Sequence, residues 1–280
     1  MNSLCIKAPA KLNLALRVLG KREDGFHEIG TIMVKLPGLM DQLDFQKADR
    51  FSFSCDEPAL PTDETNLVVK ATRAFQSASG MPCDYSLHLK KSIPHGAGLG
   101  GGSSDAAATL HGFNQLHGYP LAVDALMKLA ENLGSDIPFF LRSGAARCTG
   151  RGEKIEQLPS PPALRVMLFK PGFGVATADA YSRWQDSLHL PGIHYEPQTE
   201  AGLLLFNDLE RPVFQKHRFL AELKQWLLSR RETVAALMSG SGSTVFAILK
   251  PEACPAALAN AARHELDPHL WTWVGETEGS

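Results

Sequence analysis

The chain has 280 residues, 44% hydrophobic and 21% charged, with a formal net charge of −2. That length suits about two domains with substantial cores, and the near-neutral balance lacks the basic footprint of a nucleic-acid binder. No apolar run reaches membrane-spanning length, no N-terminal stretch reads as a signal peptide, and five scattered cysteines without a C-x-x-C pair point to reduced thiols in the cytoplasm.

Lys11 to Val18 reads as a strand, with Leu12, Leu14, Leu16 and Val18 on one face and Lys11, Asn13 and Arg17 on the other. Asp24-Gly25 marks a hairpin whose second strand is Phe26–Leu36. Short strands follow at Leu43–Phe45 and Phe51–Phe53. Thr65 is placed to cap a helix with Leu67, Ala71, Ala74, Phe75 and Ala78 on one face, ended by Gly80. After a strand at Tyr85–Leu89 and a glycine-rich stretch, helices run towards Gly118 and Gly134. Ser135 is placed to cap a new start at Asp136-Ile137-Pro138. Ala145–Thr149 and Lys154–Leu158 form a hairpin, and Pro159–Pro162 is the best linker. Beyond it the pattern predicts strands at Leu164–Phe169, Thr233–Met238, Thr244–Leu249 and Trp271–Val274. It predicts helices at Ala178–Trp184, Glu200–Phe206, Phe219–Leu228 and Pro255–Glu265. This mixture without regular alternation reads as α+β, divided into residues 1–158 and 163–280.

The densest signal is Pro94-His95-Gly96-Ala97-Gly98-Leu99-Gly100-Gly101-Gly102-Ser103-Ser104. Glycines admit a ligand close to the backbone, and Ser103 or Ser104 is a good N-cap. A glycine loop feeding a helix N-terminus is a phosphate cradle. Valine at Gly100 or Gly101 should fill the phosphate space and resist positive φ. Gly96, Gly98 and Gly101 fit G-x-G-x-x-G, but the preceding strand alternates instead of being continuously apolar, which argues against a dinucleotide fold. Gly102 stands where a P-loop needs lysine. A structural turn remains the plain alternative. Spacing alone favours Lys11 as a solvated lysine over a site cation, and Asp136 as compensation of a helix dipole over a base.

Four blocks occur in order: Ala8–Leu14 with Asp24–His27, the glycine loop, Gly134–Pro138, and Met238–Ser243. Together they resemble the GHMP kinases, named for galactokinase, homoserine kinase, mevalonate kinase and phosphomevalonate kinase. Within that family the blocks are most similar to a branch whose alcohol acceptor carries a diphosphocytidyl group, in non-mevalonate isoprenoid precursor synthesis. The resemblance implies a ribosomal-protein-S5-like N-terminal domain, a ferredoxin-like C-terminal domain and a cleft between them. It implies that Mg-ATP phosphorylates a small-molecule hydroxyl, with Asp136 as base and Lys11 as charge stabiliser. Pro94–Ser104 would wrap the ATP phosphates, with Asn66 near the adenine unless it merely caps a helix. Asn13 would hydrogen-bond the acceptor, and Gly240 and Ser241 would approach both it and the ATP phosphates, unless their loop is a plain turn. Phe26, where the family usually has tyrosine, and His27 match the cytosine site, with Tyr181 on the other side of the base. Ser104 is placed to touch the Mg²⁺, and no carboxylate is identifiable as its ligand. A homoserine- or mevalonate-type kinase has no base to stack on Phe26, and a non-catalytic ATP sensor has no need of both Lys11 and Asp136.

Overall fold

The computed structural model describes residues 2–279. β1 (Ser3–Lys21) and β2 (His27–Lys47) form a long antiparallel hairpin around Asp24-Gly25. β3 (Ser52–Cys55) precedes α1 (Leu67–Ser79), β4 (Tyr85–Lys90) and α2 (Gly101–Leu116). α3 (Val123–Leu133) and the single turn α4 (Ile137–Phe140) lead to a hairpin of β5 (Ala146–Gly150) and β6 (Lys154–Gln157). After a coil through the prolines come β7 (Arg165–Lys170), α5 (Thr177–Ser182), β8 (Gln198–Glu200) and β9 (Leu203–Asn207). α6 (Glu210–Lys216), α7 (Arg218–Leu228), β10 (Thr233–Met238), β11 (Val245–Leu249), α8 (Pro255–Glu265) and β12 (Trp271–Glu276) complete the α+β chain.

The strands form two sheets. One runs β3-β4-β2-β1-β9-β8, with the β5–β6 hairpin added to β2; the other is antiparallel, in the order β10-β11-β7-β12. Leu12, Leu14, Val34 and Leu36 of the first sheet share a core with Leu168, Leu237, Phe246 and Ile248 of the second. These side chains are almost wholly buried, and truncating such a leucine to alanine costs about 2–5 kcal/mol. Helices α1, α2 and α3 cover the outer face of the first sheet. α2 sits tight on it at Gly112, where a Cβ would lie 2.7 Å from Phe45 Cε2. Helices α6, α7 and α8 cover the second sheet. Among the described residues no helix is long and apolar enough to cross a membrane.

Three local expectations need correction. The Glu200–Phe206 helix is instead the β8–β9 hairpin, turned by Ala201 and Gly202 at φ +50° and +75°. Leu205 is buried while Leu204 is exposed, a strand's period of two, and β9 pairs in parallel with β1 through Ala15↔Phe206 and Leu16↔Asn207. Asn66, not Thr65, caps α1, its Oδ1 accepting Val68 N–H at 2.9 Å. Third, the β1–β2 register slips between Asn13 and Ala15. Such a bulge reverses the alternation beyond it, so Leu16, not Arg17, lines the cleft with Lys11 and Asn13.

Candidate active site

The glycine stretch after β4 makes three left-handed steps, at Gly96, Gly98 and Gly100, with φ between +63° and +73°. Its carbonyls from Ala97 to Leu99 find partners outside the helix that follows. Ala97 O accepts Thr244 N–H at 3.1 Å, Leu99 O accepts Lys11 N–H at 2.9 Å, and Gly98 O accepts Lys11 Nζ at 2.8 Å and Ser239 Oγ at 3.0 Å. The first hydrogen bond of α2 runs from Ser104 N–H to Gly100 O. The N–H groups of Gly101, Gly102 and Ser103 precede it and belong to the unpaired first turn. Gly100 is the N-cap, and it makes no side-chain bond. The expected serine cap is therefore absent. Ser103 and Ser104 already lie inside the helix, whose first turn opens on the cleft.

That cleft has a volume of about 1020 Å³. Pro94 to Ser103 line it, together with Lys11, Asn13, Phe26, His27, Asn66, Asp136, Tyr181, Gly240 and Ser241. Ser104 is not on its wall; it is buried, and its Oγ has no hydrogen-bond partner. Asn66 reaches the cleft, but its amide is committed to the α1 cap and to Pro61 O at 2.7 Å. Valine at Gly100 would resist φ +71°, yet a Cβ there would sit 2.9 Å from Lys11 Cγ and Phe140 Cζ. Gly101 lacks a positive φ, and its Cβ would face Ile93 and Lys91. At both positions the added atom meets side chains first, contrary to the expectation that it fills the phosphate space.

Lys11 is buried at the centre of this arrangement. Its Nζ donates to Asn13 Oδ1 and Gly98 O, and lies 3.9 Å from Asp136 Oδ2. Burial pushes the amine below the usual lysine range, against the upward pull of the Asp136 carboxylate. Asn13 Nδ2 donates in turn to Thr31 Oγ1 at 2.8 Å, which donates to Ala15 O at 2.6 Å. Asp136, not Ser135, occupies the N-cap position of α4; its side chain makes no capping bond and is about one-third exposed to the cleft. A one-turn helix thus leaves the carboxylate uncapped, facing Lys11 and the cleft. Gly240, at φ +56°, comes so close that a Cβ would lie 3.1 Å from both Lys11 Nζ and Asn13 Oδ1.

At the other end of the cleft, His27 stacks on Tyr181 with centroids 5.3 Å apart and meets Trp184 edge-on at 6.3 Å. Tyr181 therefore pairs with His27, and no space for a base lies between these two rings. Burial and Lys21 push the His27 imidazole down, favouring its neutral form. Burial, with Asp136 nearby, drives the Tyr181 phenol well above its usual range. Phe26 is half-exposed, with Arg151 over its ring at 4.8 Å.

The sequence reading missed a charge cluster beside the loop. Lys91, on the cleft wall, pairs with Asp41 and with Asp105 at 2.9 Å. Asp41 Oδ1 also accepts the N–H groups of Ser92 and Ile93 at 2.6 and 2.9 Å, pinning the loop's approach. Their only signal in the sequence is polarity at positions otherwise apolar.

Comparison with known proteins identifies the family. The family described as GHMP kinases N terminal domain matches residues 66–144, and GHMP kinases C terminal matches residues 196–267. A 4-diphosphocytidyl-2-C-methyl-D-erythritol kinase of Protochlamydia amoebophila is 42% identical over 89% of this chain and 85% of its own. A crystal structure of a 4-(cytidine 5'-diphospho)-2C-methyl-D-erythritol kinase superposes with TM-score 0.79 at 32% identity, over 99% of this chain and all of that one. A homoserine kinase from Cytophaga hutchinsonii shares the fold, with TM-score 0.69 at 20% identity over 100% of this chain and 95% of its own. The chain thus belongs to the GHMP kinase family, among its 4-diphosphocytidyl-2-C-methyl-D-erythritol kinases, and is an ATP-dependent small-molecule kinase.

Proposed function

We propose that the cleft transfers the γ-phosphoryl group of ATP to the 2-hydroxyl of 4-diphosphocytidyl-2-C-methyl-D-erythritol, a step in non-mevalonate isoprenoid precursor synthesis. The observation that carries this reading is the Lys11–Asp136 pair, 3.9 Å apart where the glycine loop meets the cleft. Asp136 accepts the hydroxyl proton as the acceptor oxygen bonds to the γ-phosphorus and the bond from that phosphorus to the bridging oxygen of ADP breaks. Lys11, tied to Gly98 O and Asn13, faces the negative charge that develops on the transferring group. Asn13 orients the Lys11 ammonium and keeps an N–H for the acceptor.

The segment Pro94–Ser103 holds the ATP phosphates, chiefly through the first-turn N–H groups of α2; Ser104 is buried beneath that turn, off the cleft wall, and Asn66 shapes the adenine end. Gly240 and Ser241 close over the phosphates. Phe26 and Tyr181 are the aromatic walls for the cytosine, and neutral His27 offers it one donor and one acceptor. Mg²⁺ fits as an ion carried by ATP: among the described residues no group of three or more His, Cys, Asp or Glu could hold a metal, and this cation commonly keeps waters and phosphate oxygens as ligands. Bound there, it would neutralise phosphate charge, and Ser103 and Asp136 are the cleft side chains that would meet its hydration shell. We assign the ATP side to residues 1–158 and the wall carrying Tyr181, Gly240 and Ser241 to residues 163–280.

The test is single-turnover transfer by Asp136→Asn at saturating Mg-ATP. The rate should fall about 10²–10⁴-fold, with ATP and acceptor affinities held within a few-fold. A wild-type rate removes Asp136 as the base.

A further inference from the structure

The loop that carries Gly240 and Ser241 is held from below by buried polar groups with no part in the chemistry so far. Asn207, at the end of β9, is 6% exposed. Its Nδ2 donates to Met238 O and Gly240 O, both at 2.7 Å, and its Oδ1 accepts Leu209 N–H at 2.9 Å. Both amide protons and the oxygen are thus committed; a planar amide is the side chain that offers two donors and an acceptor in this compass. Three residues on, Glu210 accepts Met238 N–H at 2.9 Å and the Lys224 ammonium at 2.6 Å. Lys224 also donates to His194 O at 2.7 Å. Glu210 and Lys224 are each 1% exposed, within an otherwise apolar core. A buried ion pair is a poor source of stability, and an apolar pair would fill the space as well. What an apolar pair lacks is an acceptor for the Met238 N–H.

The segment 207–210 therefore grips the start of the loop on both its N–H and its C=O side. The other face of the loop presses on the reacting end of the cleft. Ser239 Oγ donates to Gly98 O at 3.0 Å, and Gly240 approaches Lys11 and Asn13 so closely that a Cβ would stand 3.1 Å from each. Because β9 is also paired to β1 at Leu16↔Asn207, one residue ties the loop to the strand that carries Lys11.

We propose that Asn207 is a positioning residue for phosphoryl transfer, fixing the height of the 239–242 loop over Lys11 and the glycine loop. This rests on the transfer reading given above. The experiment compares full-length wild type, Asn207→Asp, Asn207→Ala and Asn207→Ser in steady-state assays with Mg-ATP and 4-diphosphocytidyl-2-C-methyl-D-erythritol. Leu220→Ala, a core truncation in α7, serves as a destabilised control. Ångström-scale misplacement commonly costs about 10²-fold. We expect kcat to fall about 10–100-fold in the aspartate and alanine variants and less in the serine variant, which keeps one donor. KM for ATP should rise several-fold, with a similar or smaller rise in KM for the acceptor, which the same loop approaches. Leu220→Ala should keep its kcat despite an equal loss of Tm. A folded variant with wild-type kcat and KM for ATP overturns the proposal. So does a Leu220→Ala enzyme with the same kinetic losses, because the effect would then be general destabilisation. If the aspartate and alanine variants do not fold, Asn207→Ser decides. If wild type transfers nothing to this acceptor, the transfer reading fails on its own, and calorimetric ATP affinity then tests Asn207: unchanged affinity in the variants overturns the proposal, and several-fold weaker affinity supports it.

Discussion

Gly98→Ala probes the contact between the two loops most directly. Gly98 sits at φ +73°; a Cβ there would collide with Ser239 O and lie 2.8 Å from Gly242 O and 3.1 Å from Gly242 N. All three are backbone atoms, so no rotamer change relieves the clash. The left-handed conformation costs an alanine roughly 1–2 kcal/mol. Retreat of the 239–242 loop also breaks the Ser239–Gly98 and Thr244–Ala97 hydrogen bonds, each worth about 1 kcal/mol net. The sum is about 3–4 kcal/mol, or roughly 10 °C in Tm for a chain of this size. The Gly98 carbonyl that holds Lys11 Nζ at 2.8 Å moves with its residue, so kcat/KM should fall about 10²-fold. Differential scanning calorimetry and steady-state kinetics on one preparation measure both. A variant that melts with wild type and turns over normally would refute the argument that this packing is tight.

Two more outcomes are expected. Phe26→Ala should weaken binding of the cytidine substrate by about 1–3 kcal/mol, the usual worth of base–aromatic stacking, and leave calorimetric ATP affinity unchanged; a loss confined to ATP would put Phe26 elsewhere. Burial pushes the Asp105 carboxyl up to about 7, against the pull of Lys91. The folded state therefore holds a proton that the unfolded chain has released, and this group's contribution to stability falls as pH rises from about 4 to about 7. Between about pH 5 and about pH 8, the Tm of wild type should fall relative to that of Asp105→Asn; parallel curves would contradict the assignment.

What was legible in the sequence follows the range of the forces involved. The β1–β2 hairpin, α1 with its Gly80 stop, and α8 over Pro255–Glu265 are written in local periodicity and breakers. The glycine loop was legible because composition alone demands its backbone. The Glu200–Phe206 segment was misread because parallel pairing with β1, far off in sequence, decides its structure. The serine cap expected at α2 was an overextension of a sound local rule: an N-terminus left open for a ligand is the exception to that rule. Asp41, Lys91, Asp105, Asn207, Glu210 and Lys224 went unread for one reason. Buried polar groups are placed by partners across the fold, and no spacing announces them. The stacking of His27 on Tyr181 is equally invisible in the sequence, because it depends on α5 meeting the β1–β2 hairpin.

The pairing of β9 with β1 has a consequence for the order in which the molecule is made. Lys11 and Asn13 emerge from the ribosome long before β9, and β2 can zip onto β1 as soon as it follows. At Ala15 and Leu16 the other edge of β1 stays open until Phe206 and Asn207 arrive to pair with it. Nascent chains halted before that point carry the glycine loop and both members of the Lys11–Asp136 pair, yet expose an unpaired strand edge, the kind of surface that recruits other chains. Synthesis of the second half is thus what closes the first.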